Sequence, residues 1–123
     1  MSSPTNGMKR ITAGRVGIVQ GSRVLFSDFV NGGPMWTGEG ARESRSTVSF
    51  SEPFLAPPAV TTTISLWDFD NGTNLRAEIT PERVTETGFD LVFRTWADTR
   101  VARIRADWTA IGPVRDEDDW DLG

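Results

Sequence analysis

Strict alternation of apolar and polar residues governs the second half of the chain, and it leaves little choice of secondary structure. In "FDLVFRTW", Phe89, Leu91 and Phe93 share one side of an extended segment, with Asp90, Val92, Arg94 and Trp96 on the other. "VARIRADWTAIG" sets Ala102, Ile104, Ala106 and Trp108 inward, with Arg103, Arg105 and Asp107 outward. "NLRAEIT" likewise places Leu75, Ala77 and Ile79 inward and Asn74, Arg76 and Glu78 outward, and "AVTTTISLWDF" aligns Val60, Thr62, Ile64 and Leu66. In "STVSF", Val48 and Phe50 alternate with serine and threonine, and the prolines of "EPFLAPP" end that run because proline cannot donate to a ladder. Helical periodicity is nowhere sustained for more than a turn. Each half-apolar sheet must cover its inner face with another, so the pattern predicts an all-β fold, a six-stranded antiparallel β-sandwich.

The first half is less regular. "RITAGRVGIV" and "RVLFSDF" are β-prone runs separated by "QGS", which predicts a hairpin. "VNGGPMWTGEGARES" then holds four glycines and one proline in fifteen residues and reads as a long loop of the kind that carries function. With 123 residues, 37% of them hydrophobic, the chain suits one core. The expected organisation is a loose arm over residues 1–10, a sandwich over 11–112 and an acidic tail over 113–123.

Two absences narrow the chemistry. There is no cysteine, which removes thiolate metal sites and thiol nucleophiles, and no histidine, which removes the commonest general base and metal ligand. Asp68 and Asp70 are two carboxylates at one turn, superficially a glycosidase pair, but no other feature of such a cleft accompanies them. The chain is therefore expected not to be an enzyme and to need no cofactor or metal. The formal charge of −4 resides in "PVRDEDDWDLG", five acids against one arginine, so residues 1–112 balance to zero. A neutral body with an acidic tail does not favour nucleic acid. No apolar run approaches the roughly 20 residues of a membrane span, and "MSSPTNGMKR" lacks the apolar centre of a secretory signal, so neither membrane insertion nor export is expected. Twelve of the thirteen basic residues are arginine, the planar donor suited to oxyanions and hydroxyl pairs.

The five tryptophans differ in setting. Trp108 shares parity with Ile104 and Ala106 and reads as core; Trp96 points outward at a strand end, where an indole either stacks on the apolar face of a sugar ring or packs on a neighbouring loop or protomer. Trp67 is a loop cover or a contact between protomers. Trp36 reads as an anchor of the glycine-rich loop rather than as part of a ligand rim, and Trp120 lies in the acidic tail, as a docking segment or simply solvated. Arg76 could pair with Glu78 at the surface, and Arg94, Arg100, Arg103 and Arg105 with Asp90, Asp98 and Asp107.

Taken in order, "VSFSEPFLAPPAV", "LWDFDNGTNLRAEI", "VTETGFDLVFRTWADTRV" and "RADWTAIG" resemble the H-type lectin domain of snail agglutinins and of the C-terminal part of the discoidins. The matching motifs run from Val48 to Gly112 and extend loosely back to Phe26. That resemblance implies a six-stranded sandwich that assembles as a homotrimer. It also implies binding of galactose- or N-acetylgalactosamine-type glycans between protomers, without a metal. By position, Trp96 of "TWADT" matches the family's sugar-stacking tryptophan and Arg76 of "NLR" the arginine that reaches the sugar from the adjacent protomer. Asp98 of the same tryptophan motif is a further candidate contact, and Asp28 of "FSDF" is the candidate acidic ligand for sugar hydroxyls. Two positions depart from the snail proteins: a histidine is replaced by Ala97 and a tyrosine by Ala102, which implies altered or weakened specificity. An alternative rests on analogy: a structural or receptor-binding appendage of a phage-like particle, a larger virion-like assembly with this fold as its trimeric building block.

Overall fold

The structure, a computed structural model, describes residues 7–12 and 14–116; the tail segment with Trp120 lies outside them. Six strands, β1 (Arg15–Ser27), β2 (Arg42–Ser49), β3 (Ala59–Phe69), β4 (Ala77–Glu82), β5 (Gly88–Thr95) and β6 (Val101–Val114), occur among the described residues. Two single-turn helices, α1 (Asp28–Asn31) and α2 (Pro34–Thr37), interrupt the glycine-rich segment. The strands form two antiparallel three-stranded sheets, ordered β1-β6-β3 and β2-β5-β4. This is the expected sandwich; its last strand runs to Val114, two residues past the sequence boundary at 112.

Alternation on the central strands builds the core. Phe89, Leu91 and Phe93 of β5 face Ile104, Ala106 and Trp108 of β6, and all six are buried. One cluster gathers Val48, Phe50, Phe54, Phe89, Leu91, Ala106, Trp108 and Ala110, and a second gathers Met35, Phe93, Val101 and Ile104. Trp108 is thus core, its ring 5.4 Å from that of Phe89 and 6.0 Å from that of Phe50. Burial of each large side chain contributes roughly 1.5–3 kcal/mol.

Four expectations are corrected. "QGS" is not a turn: β1 runs straight through it, pairing Gln20, Gly21 and Ser22 with Thr109, Trp108 and Asp107. Glycine is needed there because the Trp108 indole lies over it, where a β-carbon would come within 2.5 Å of the ring. On β3 a bulge between Ile64 and Leu66 reverses the parity, setting Leu66 opposite Arg105 and Trp67 opposite Ile104. Leu75, expected inward, is 55% exposed because it precedes β4.

The outward row of β5 supplies the fourth correction. Asp90 and Val92 are buried, since β5 is the middle strand and long side chains of its neighbours close over it. Arg45, opposite Val92, donates to Asp90 at 3.0 Å and Glu82 at 2.9 Å, while Arg94 donates to Glu82 at 2.7 Å, Glu43 at 3.0 Å and Glu78 at 3.5 Å. The guanidiniums of Arg45 and Arg94 hold the Glu82 carboxyl below its ordinary range. The arginine–aspartate pairing read for Arg94 is therefore replaced by a lattice with glutamates of both flanking strands.

Candidate functional site

β5 ends at Thr95, which is buried and donates through Oγ1 to the carbonyl of Arg76 at 2.6 Å. The next residue, Trp96, emerges to 40% exposure. The chain then reverses at Ala97, whose φ of +60° lies in the left-handed region that ordinary side chains avoid. Ala97 is held there from one side: its carbonyl accepts the N–H of Gly40 at 2.9 Å and Nη2 of Arg42 at 3.3 Å. Replacing Ala97 by glycine is expected to stabilise the fold. Relief of about 1–2 kcal/mol of left-handed cost exceeds the about 0.4–1 kcal/mol lost to a more flexible unfolded chain. A thermal melt should show the midpoint raised; a lowered midpoint would mean that the methyl group packs favourably.

The turn is held from the other side by "NLR". Asp98 accepts from the backbone N–H and side-chain amide of Asn74, each at 3.3 Å, and pairs with Nη1 of Arg76 at 3.1 Å. The Asn74 backbone N–H, then its side-chain amide and the Arg76 charge, hold the Asp98 carboxyl below its ordinary range, while desolvation opposes them. Thr99 is fully buried; its Oγ1 donates to the Asn74 carbonyl at 2.7 Å and accepts the Arg76 N–H at 3.1 Å. Thr95, Asp98 and Thr99 thus stitch one strand end to the segment beside it. Arg100 anchors the far end, its guanidinium 4.5 Å above the Trp36 ring and its Nε donating to the Trp36 carbonyl at 2.8 Å. Phe29 meets the same ring edge-on at 5.0 Å, so Trp36 pins the glycine-rich segment.

Trp96 opens onto a cavity of about 400 Å³ lined also by Ala41, Arg42, Glu43, Glu78, Arg94 and Thr95. An apolar ring face can lie on the indole while the exposed carboxylates of Glu43 and Glu78 accept hydroxyl protons. Arg94, committed to three glutamates, orients them. On the far side of β4 a larger groove, about 490 Å³, runs between β3 and β4 and shares Glu78 with the first cavity.

The four site residues read from sequence fall in different places. Arg76 and Asp98 come together as an ion pair within one chain, at the turn that carries Trp96, but neither they nor Asp28 line the cavity, which of the four only Trp96 does. The Asp28 carboxylate accepts the Met35 N–H at 2.9 Å and lies under Gly33, organising the segment between β1 and β2. The surface pair expected for Arg76 and Glu78 is not formed: Glu78 stands directly opposite Arg94 in the β4–β5 register and pairs with it. Ala102 is buried near Phe29, Val30 and Arg103, at a cavity of about 210 Å³. Sequence reasoning missed Arg42, Glu43 and Glu78 as neighbours of Trp96. The outward parity of Glu78 and Arg94 was the available signal, and knowledge of the strand pairing was what it lacked.

The family model described as the H-type lectin domain matches residues 45–111. A protein of Fuscovulum blasticum named "ATP synthase subunits region ORF 7" is 59% identical over 107 residues, covering 87% of this chain and 93% of that one. A discoidin-1 polypeptide of Dictyostelium discoideum is 37% identical over 75 residues, 60% of this chain and 30% of the discoidin. The solved structure of recombinant discoidin II from the same organism superimposes with a TM-score of 0.69 at 24% identity, over 85% of this chain and 40% of that one. The chain therefore spans well under half the length of the discoidins it matches.

Proposed function

Because the chain belongs to the H-type lectin domain family, we propose that it is a carbohydrate-binding module that holds a neutral galactose- or N-acetylgalactosamine-type ring against Trp96. The observation that carries this reading is the exposed indole on a turn fixed from both sides, at the mouth of a cavity with two accessible carboxylates. A rigid aromatic platform with a few placed polar groups suits a ring that has one apolar face and one row of hydroxyls. Glu43 and Glu78 occupy positions from which to accept those hydroxyls. With Ala97 offering no polar group, these carboxylates give the site a preference different from that of the snail proteins.

The working unit is a homotrimer with its sites at the seams between protomers, where Arg76 extends towards the ligand of a neighbour. Weak single sites on one face then gain by multivalent engagement. The task is binding rather than catalysis.

A glycan array probed with the wild-type protein and with Trp96→Ala tests the reading. The wild type is expected to retain neutral galactosides. Loss of the platform should weaken binding about 10- to 100-fold, the equivalent of about 1.5–3 kcal/mol of apolar burial. Equal retention by both proteins would remove Trp96 from the site. Intact trimers that bind no glycan would instead point to a building block or receptor tip of a phage-like particle.

A further inference from the structure

A closed ring of charge crosses the outer face of the β2-β5-β4 sheet. Arg45 donates from Nη2 to Oε1 of Glu82 at 2.9 Å and from Nε to Oε2 of Glu43 at 3.4 Å. Arg94 donates from Nη2 to Oε2 of Glu82 at 2.7 Å and from Nε to Oε1 of Glu43 at 3.0 Å. Both guanidiniums therefore bridge the same two carboxylates, and every oxygen of those carboxylates is used once. Glu43 and Arg45 stand on β2, Arg94 on β5 and Glu82 on β4, so the ring ties all three strands. A single exposed ion pair holds little, but a planar fork bonded along two edges has little freedom to turn.

Each guanidinium has Nη1 left for a carboxylate outside the ring, and the two outsiders differ. Asp90 takes the bond from Arg45 at 3.0 Å; it is buried, and its other oxygen accepts from the Thr47 hydroxyl at 3.2 Å. Glu78 takes the bond from Arg94 only at 3.5 Å; its side chain is 54% exposed, and its Oε2 accepts from none of the described residues. Of the two carboxylates that line the Trp96 cavity, Glu43 thus has both oxygens committed within the ring, whereas Glu78 has one unclaimed. Glu82 does not line the cavity, yet it takes the shortest of the three bonds from Arg94 and draws that guanidinium away from Glu78. Without the Glu82 charge the fork closes on Glu78 and claims its oxygens.

We propose that Glu78 is the carboxylate that receives the ligand's hydroxyls, and that Glu82 is a positioning residue that keeps it available by holding Arg94 on the ring. This rests on the carbohydrate-binding reading above and divides its two cavity carboxylates into a contact and a frame. Affinities for methyl galactoside and methyl N-acetylgalactosaminide, measured by calorimetry on the full chain, test it. Glu78→Gln is expected to bind about 10-fold more weakly, the loss of one charged acceptor. Glu82→Gln keeps the shape of the side chain and one acceptor oxygen, so it opens the ring without leaving a hole. It should weaken binding several-fold in the wild-type background and add nothing in the Glu78→Gln background, because its effect passes through that carboxylate. A Glu82 that merely supported the fold would cost the same in both backgrounds, and that result overturns the positioning role. Wild-type affinity in Glu78→Gln, with binding lost in Trp96→Ala, would overturn the contact and leave the lectin reading standing. A wild type that binds neither glycoside nor any glycan of the array removes that reading itself, and this division of labour with it.

Discussion

Gly21→Val is expected to lower the unfolding free energy by about 3 kcal/mol, a large part of the roughly 5–15 kcal/mol typical of a small domain. Propensity argues the other way, since valine is a better strand former than glycine, by at most about 1 kcal/mol. Packing decides. A β-carbon at position 21 would lie 2.5, 2.6 and 2.8 Å from Cζ2, Cε2 and Nε1 of Trp108. That ring cannot retreat, because Phe50 and Phe89 stand behind it at 6.0 and 5.4 Å. Urea unfolding of Gly21→Val and of Gly21→Val in a Trp108→Leu background measures the coupling. If the indole is the obstacle, shrinking it should recover most of the valine cost. An equal cost in both backgrounds would show that the glycine serves some other purpose.

The same pair shows where sequence reasoning reaches and where it stops. Parity alone placed Phe89, Leu91, Phe93, Ile104, Ala106 and Trp108 inside, because side chains on a regular strand alternate whatever lies across from them. Local chemistry misled at "QGS", which has turn composition but serves as the flat floor beneath an indole more than eighty residues away in sequence. Bulges are similarly silent: nothing in "TTTISLWDF" announces that Trp67, not Leu66, falls opposite Ile104. Burial on the outer face of β5 was also out of reach, since Val92 is covered by the stem of an arginine from another strand. At the site, Trp96 and Arg76 were legible as outward residues near strand ends, and Asp98 through its motif. Their junction was not legible, because it is made by a buried hydroxyl that reads in sequence as an ordinary turn threonine.

That hydroxyl makes Thr99→Val the sharper probe of how fold and site are joined. Valine keeps the shape of threonine and removes only the Oγ1, leaving the Asn74 carbonyl and the Arg76 N–H without the partner each has at 2.7 and 3.1 Å. Thr99 is 0% exposed, so no solvent reaches position 99 itself. Asn74 is exposed and Arg76 half-buried, so each lost bond costs about 0.5–1.5 kcal/mol, and a loss of about 1–3 kcal/mol is expected in urea unfolding. Thr99→Ser retains both bonds and gives up one methyl group, for which about 1 kcal/mol is expected. Binding separates a positioning role from a merely stabilising one. At a temperature where both variants are fully folded, the proposed glycan-binding function has Thr99→Val binding galactosides several-fold more weakly, because the Arg76–Asp98 pair at the Trp96 turn loses its tether, while Thr99→Ser binds as the wild type does. Wild-type affinity in a destabilised Thr99→Val protein would mean that the stitch supports the fold alone, and that Asp98, through its bonds to Asn74 and Arg76, suffices to hold the platform.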